Sequence, residues 1–378
     1  MKKLIWPLLV LTLTACQDNA PERSTANLHE LPPPELGESW TSKNDDQANS
    51  ILAHTRDIVN ERAAETGVMN RDAHPKAHGC VQASMTIDNK NLPAAQRVGV
   101  FAQDSKTFTA WVRYSNGDPD GAKKADIEKD VRGMAVKLMN VEGSESGSQD
   151  FLMITSKEFF SKDGDDYLKL FNALTGGTAR LALYGITHPL SAKRLLGARV
   201  KIANPVQAKY FSSVPYKLGT RSMRFKAEPC VATNEALPQN PGAGYLQERL
   251  VKTLAAGEAC YHFYVQPNLD PQRNPVEDPR VVWDEKKSPY IKVATLKIPQ
   301  QKDITSQAQT NFCENLSMDP WHTNSQTRPL GQINRMRALI YREISRMRHD
   351  GNRTTVLEPV NHTPCVGATA ALCETPKK

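Results

Sequence analysis

The chain has 378 residues, 39% hydrophobic and 24% charged, with a net charge of +7. That is the composition of a globular protein with room for one large domain or two modest ones, and it excludes a disordered or fibrous chain. Lys2 and Lys3 fall in a segment expected to be removed, leaving +7 − 2 = +5 with no basic block, so nucleic acid is not an expected partner. No G-x-G-x-x-G or P-loop pattern occurs, so a dinucleotide or nucleoside-triphosphate enzyme is not expected.

The first element in the chain is a targeting signal. Met1-Lys2-Lys3 is followed by the apolar run Leu4 to Leu13 and by Leu13-Thr14-Ala15-Cys16, the layout of a secretory signal peptide over residues 1–15. The run is too short to span a bilayer. Its last four residues resemble the bacterial lipobox, which implies lipidation of Cys16 and a membrane partner through that anchor. Gln17 stands where an aspartate would favour inner-membrane retention, so the expected location is the outer membrane of a bacterial envelope, facing the periplasm. Six further cysteines, Cys80, Cys230, Cys260, Cys313, Cys365 and Cys373, are then in an oxidising compartment and can form disulfides. Cys365 and Cys373, close together in the chain, are the best single pair. No C-x-x-C-H occurs, so covalent c-type haem attachment is not indicated.

Residues 16–48, polar and holding Pro32-Pro33-Pro34, read as a flexible tether. From Gln47 to Glu65 apolar residues recur at helical spacing. Strand patterns follow over Val81 to Ile87, Val98 to Phe101, Thr107 to Ser115 and Gly133 to Met139. Asp165 to Lys201 looks helical, with Asp163, Asp165 and Asp166 as a solvated helix start. Strands return over Ser222 to Ala227, Ala259 to Gln266, Val281 to Trp283 and Tyr290 to Ile298. Many strands interrupted by helices argue for an α+β fold, an antiparallel barrel carrying helices, over residues 49–355, with 356–378 as a tail.

Two segments carry chemistry. Arg71, His74, Lys76 and Gly79 lead into a strand, and period two puts Trp111, Arg113 and Ser115 on one face of its neighbour. A hydrogen bond from Ser115 to His74 would fix the imidazole tautomer and leave one ring nitrogen as a proton acceptor. Near the end, Arg337, Tyr341 and Arg348 share a helix face, Tyr341 about 40° and Arg348 about 20° from Arg337 around the axis. A tyrosine binds ferric iron only as phenolate; a phenol's reference pKa is near ~10, so a cation one turn away is needed. Arg348 could pair with an acidic group. Taken singly, the helix triplet reads rather as an ordinary basic surface and His74 as a surface or structural histidine.

Together these residues resemble the haem catalase superfamily, in a shortened, catalase-like branch. The catalase distal pattern R-x-x-H-x-K-x-x-G is met by Arg71, His74, Lys76 and Gly79. V-R-F-S is matched by Val112-Arg113-Tyr114-Ser115, and D-P-R-G-F-A-V-K by Asp130, Arg132, Gly133, Ala135, Val136 and Lys137. The proximal pattern R-x-x-x-Y-x-x-x-x-x-x-R is met by Arg337, Tyr341 and Arg348. Pro275-Val276-Glu277-Asp278, the run Trp283 to Gln300 and Pro329-Leu330-Gly331 are also similar to the shortened branch.

The resemblance implies an α+β catalase-like barrel whose inserted and C-terminal helices enclose haem b. Tyr341 would be the axial ligand of the haem iron and Arg337 its hydrogen-bond donor. Arg71, Arg113 and Arg348 would bind the propionates, and Phe159 would pack on the porphyrin. His74 would be the distal base, oriented by Ser115. Catalases carry an asparagine in G-N-N-T-P-V-F-F that positions peroxide; the corresponding stretch, Gly147 to Ile154, has none and offers Gln149. The implied function is breakdown of hydrogen peroxide or organic hydroperoxides, as catalase or peroxidase with an unidentified electron donor. An allene-oxide-synthase type of hydroperoxide isomerase and a non-catalytic haem-binding protein are the alternatives. The chain lacks the N-terminal arm and C-terminal domain of large catalases, so their tetramer is not implied and the oligomeric state stays open. Trp321-His322 is expected to be structural.

Overall fold

The computed structural model describes residues 30–119, 123–356, 358–365 and 373. The signal segment 1–15 and Cys16 lie outside the described residues. Nine antiparallel strands form one sheet: β1 Ala77–Ile87, β2 Thr107–Asn116, β3 Arg132–Met139, β4 Ser148–Ile154, β5 Tyr210–Phe211, β6 Tyr216–Leu218, β7 Arg221–Pro229, β8 Ala259–Pro267 and β9 Ile291–Ile298. Their order is β5-β4-β3-β2-β1-β9-β8-β7-β6, and β5 also pairs with β7, which closes eight strands into a barrel with β6 added beside β7. Closure leaves no long unpaired edge. The expected α+β barrel with inserted and C-terminal helices is therefore the observed fold.

Alternation along the strands sorts the side chains. On β2, Phe108, Ala110, Val112 and Tyr114 join the barrel core with Val136, Leu138, Phe151, Phe225 and Phe263. Trp111, Arg113 and Ser115 point outward, opposite Lys137, Ala135 and Gly133 of β3. The lumen is filled by packed side chains. Any site on this face must lie between the barrel wall and the helices outside it.

Those helices are α1 Ser42–Thr66, α2 Gly164–Thr175, α3 Thr178–Thr187, α4 Pro189–Ala198, α5 Tyr245–Ala256, α6 Gln307–Asn315 and α7 Gln332–Asn352. On α7, Met336, Leu339, Ile340 and Ile344 repeat at three and four residues and pack against Ala48, Ile51, Leu52 and Val59 of α1. This buries one side of α7 on α1 and leaves another side for the barrel. Helix α7 ends at Asn352 and is capped by Arg353, which takes the left-handed conformation at φ 55°.

Several expectations are corrected. The helix expected from Gln47 starts at Ser42, because Thr41 and Asn44 form a reciprocal capping box. Val98 to Phe101 is a short 3-10 turn at Gly99–Phe101, since Gly99 sits at φ 56°. Val281 to Trp283 is a loop, its turn closed by Val281 N–H donating to the Asp278 carbonyl and Trp283 held under Arg224 at 4.9 Å. Asp166 is buried, accepting hydrogen bonds from Tyr184 and Ser191, so the helix start is not wholly solvated.

The tether ends earlier than residue 48. Glu38 accepts hydrogen bonds from Arg335, from Arg328 and from the Gly331 N–H, and Arg335 and Arg328 also donate to the Pro32 and Pro33 carbonyls. Burial would raise the Glu38 carboxyl, but these donors hold it below the ordinary carboxylate range. The tail is likewise docked in part: Glu358 is buried against Lys137, and Trp111 donates to the Asn361 carbonyl. Of the cysteines, Cys365 pairs with Cys373 as expected, and Cys80–Cys313 and Cys230–Cys260 complete three disulfides.

Candidate functional site

His74 stands just before β1 in a left-handed backbone conformation, φ 56°. A non-glycine residue there costs on the order of 1–3 kcal/mol, which the surrounding structure must supply. The strand then bulges between Ala77 and Gly79. Together the two irregularities turn the imidazole back over β2, where Nδ1 and the Ser115 hydroxyl are joined by a hydrogen bond of 3.0 Å. Arg113 fixes the backbone by donating to the His74 carbonyl at 3.0 Å.

Gly133, opposite Ser115 on β3, makes room for the ring. A Cβ there would lie 2.6 Å from both Cε1 and Nδ1 of His74 and 2.9 Å from Ser115 Oγ. Gly133→Ala is therefore expected to displace the imidazole and slow proton transfer at least about tenfold, as sub-ångström misplacement of catalytic groups commonly does. The fold should survive, since the added methyl meets side-chain atoms only, the His74 ring and the Ser115 hydroxyl. The NMR resonances of the His74 ring together with the unfolding midpoint check this.

Enclosure by protein lowers the His74 pKa to about 3, with further lowering from Arg113, Arg337 and Arg71 in that order. The ring is thus neutral at any physiological pH, a proton acceptor held ready. Arg337 of α7 is thus close enough to His74 for its charge to act on the imidazole.

On α7, Arg337 Nη2 donates to the Tyr341 hydroxyl at 3.0 Å, and the guanidinium lies 4.9 Å from the ring centroid. Burial would lower the Arg337 pKa, but Tyr341 and Tyr216 raise it above its ordinary value. Burial pushes the neighbouring Tyr216 up to about 12 and Tyr167 higher still, so both stay phenols. The Arg337 guanidinium acts on both Tyr341 and Tyr216, and its 3.0 Å hydrogen bond goes to Tyr341.

The three remaining arginines converge on the end of α6. Arg71 donates to Glu314 at 3.0 Å and to the Leu316 carbonyl at 2.7 Å; Arg348 donates to the Glu314 carbonyl at 2.9 Å; Arg113 lies 3.8 Å from the Glu314 carboxylate. Helix C-terminal carbonyls attract such cations. Cys80–Cys313 ties α6 to β1 and so sets this cluster against the His74 wall. Two carboxylates, Glu314 and, beside Arg348, Asp72, do not balance three guanidiniums. Burial, followed by the charge of Arg71, lowers both Arg113 and Arg348 to about 9. The Nε atoms of both are buried without a hydrogen-bond partner among the described residues.

These features fit the haem implied by the sequence resemblance. Unpartnered guanidinium nitrogens and surplus positive charge suit a dianionic group, and Arg71, Arg113 and Arg348 would hold it through its carboxylates. A phenol paired with arginine suits an axial oxygen ligand, and Tyr341 would supply it. Phe159 stacks on Phe160 at 4.1 Å and lies 6.0 Å from Tyr167, placing it in the aromatic wall that reaches this space.

Gln149 is not brought to the site. It pairs with Leu138, so it shares the face of Phe151 and Met153, and its Oε1 accepts from Thr323 and Thr327 at 2.8 Å each. The His74 face of β4 carries Leu152 and Ile154, opposite Ala135 and Gly133. Trp321 donates to the Asn334 carbonyl, and His322 joins a buried ion network with Asp150, Lys137 and Glu358. Sequence reasoning missed Glu314, Tyr216 and Tyr167 as neighbours of the site; no local pattern marks them, because only the packing of α6, β6 and α2 brings them there.

No protein-family model and no curated protein sequence matches the chain. Solved structures do match. A fungal catalase superposes with a TM-score of 0.61 at 18% identity, over 76% of this chain and 61% of its own. Catalase A from Saccharomyces cerevisiae gives 0.56 at 17% identity, over 74% and 61%, and a bacterial catalase 0.60 at 19%, over 82% and 63%. The chain thus spans about three fifths of the length of these catalases. What the likeness establishes is the fold: a closed antiparallel barrel with surrounding helices, as in catalases.

Proposed function

We propose that the protein is a haem-dependent oxidoreductase that breaks down hydrogen peroxide or organic hydroperoxides at the periplasmic side of a bacterial envelope. The observation that carries this reading is a neutral, serine-bound imidazole within electrostatic reach of the arginine that pairs with Tyr341, beside three incompletely neutralised arginines. When bound, haem b would supply a ferric iron at which the peroxide O–O bond is cleaved. His74, with Nδ1 engaged by Ser115, offers Nε2 to take the peroxide proton and return it to the departing oxygen. Leaving as a hydroxyl compound, that oxygen departs without hydroxide being expelled. Arg337 stabilises negative charge on the Tyr341 oxygen, and Arg71, Arg113 and Arg348 orient the cofactor by its carboxylates.

The distal wall favours a peroxidase over efficient peroxide dismutation. Leu152 and Ile154 occupy the His74 face of β4, so this wall adds no amide to orient a second peroxide. An external donor would then supply the two electrons.

The test is the absorption spectrum of the purified protein titrated with haem, beside Tyr341→Phe. The wild type is expected to bind one haem with the signature of phenolate-ligated ferric iron. The variant should lose that signature and bind haem at least about tenfold more weakly, as loss of one charge-assisted ligand implies. Identical spectra for the two would remove Tyr341 as ligand. Absence of haem uptake by the wild type would overturn the proposal.

A further inference from the structure

We infer that the helical hairpin α3–α4 is a docking surface for an anionic lipid bilayer. Leu174, Leu181, Leu183, Ile186, Leu190 and Leu196, between 38% and 77% exposed, lie on or beside two consecutive helices, and they make up more than half of the large apolar side chains the described residues expose. On α3 the only buried residue is Tyr184. The hairpin is fastened to α2 through polar bonds, Tyr184 and Ser191 donating to Asp166 at 2.7 and 2.6 Å, and through a small cluster of Leu170, Ala173 and Tyr184. Its leucines therefore contribute little to holding it in place.

Charge decides the occupant. No aspartate or glutamate occurs between Asp166 and Glu228, while Arg180, Lys193, Arg194, Arg199 and Lys201 all fall on the hairpin or just beyond it. Arg194 pairs with Glu158 at 3.2 Å and Arg199 lies 3.8 Å from Asp118, whereas Arg180, Lys193 and Lys201 have no ion pair among the described residues. A second copy meeting this face through a two-fold axis would set cations against cations. An anionic headgroup layer instead complements them, while the leucines enter the acyl boundary. Among the described residues no helix is long and apolar enough to cross a membrane, so the hairpin would lie in the interface.

Hydrogen exchange resolved by peptide tests this on the full chain, because it reads the hairpin separately from the N-terminus. With vesicles of phosphatidylethanolamine and phosphatidylglycerol, amides of residues 178–198 should exchange at least about tenfold more slowly than without lipid. Vesicles of phosphatidylcholine alone should protect them much less. In Leu183→Glu/Ile186→Glu, with the same N-terminus, that protection should vanish while exchange in the barrel strands stays unchanged, which also verifies the fold. Unprotected hairpin amides on anionic vesicles would overturn the inference, as would equal protection on phosphatidylcholine. Protection that rises with protein concentration without lipid would make the face a self-association surface and overturn it too.

Discussion

His74→Ala is expected to leave haem binding intact and to slow reaction with peroxide by about 10²–10⁴-fold, the usual contribution of a positioned general acid–base. The residues that would hold the cofactor, Tyr341 and the three arginines, touch the His74 side chain through no hydrogen bond. Stopped-flow mixing with hydrogen peroxide, with the Soret band of the resting protein as control, checks this. Equal rates in variant and wild type would take His74 out of the mechanism. A pH profile adds a second reading. Because burial and then Arg113, Arg337 and Arg71 hold the imidazole pKa at about 3, the wild-type rate should show no histidine inflection near pH 6.5. The sign for stability follows from the same shift. Between pH 6.5 and about 3 the unfolded chain binds a proton at His74 that the folded one does not, so folding weakens as pH falls through that window.

Lys137→Ala is expected to destabilise the fold by about 3–5 kcal/mol, the cost of removing one partner from a buried ion network. Lys137 is fully buried on β3 and sits 3.0 Å from Asp150 and 2.7 Å from Glu358, with the Ser148 hydroxyl and His322 Nδ1 each at 3.1 Å. Burial would lower its pKa, but Asp150 and Glu358 outweigh that and raise it. Without the ammonium, two carboxylates are left buried with His322 as the remaining cationic candidate. Denaturant unfolding measures the loss, and adding Glu358→Gln to the variant should recover part of it. A midpoint unchanged by Lys137→Ala would show that the network is solvated. Because Glu358 belongs to the C-terminal segment, the same network also fastens that segment to the barrel.

The candidate site residues were legible where periodicity and spacing carry direction. Period two put Arg113 and Ser115 on one face, and 3.6 residues per turn put Arg337 beneath Tyr341; both relations are local and survive into the fold. Gln149 failed for the same reason that Ser115 succeeded. In a strand, an error of one residue moves a side chain to the other face, and the register with Leu138 turns Gln149 away from His74. The tether misled because proline-rich, acidic sequence is equally suited to docking on arginines, and Arg328 and Arg335, almost three hundred residues away, become its partners only in the folded chain.

By itself the sequence determined the strand and helix faces, and with them the half-sites His74 with Ser115 and Arg337 with Tyr341, since these are set by backbone geometry within one element or between adjacent strands. Only the tertiary structure decided that Arg337 comes within electrostatic reach of His74, that Arg71, Arg113 and Arg348 meet around Glu314, and that α3–α4 turns its leucines outward. Those outcomes depend on closure of the sheet through β5, on the Cys80–Cys313 link that holds α6 against β1, and on the packing of α7 against α1. Each is a contact between segments far apart in the chain, whose partners no local periodicity specifies.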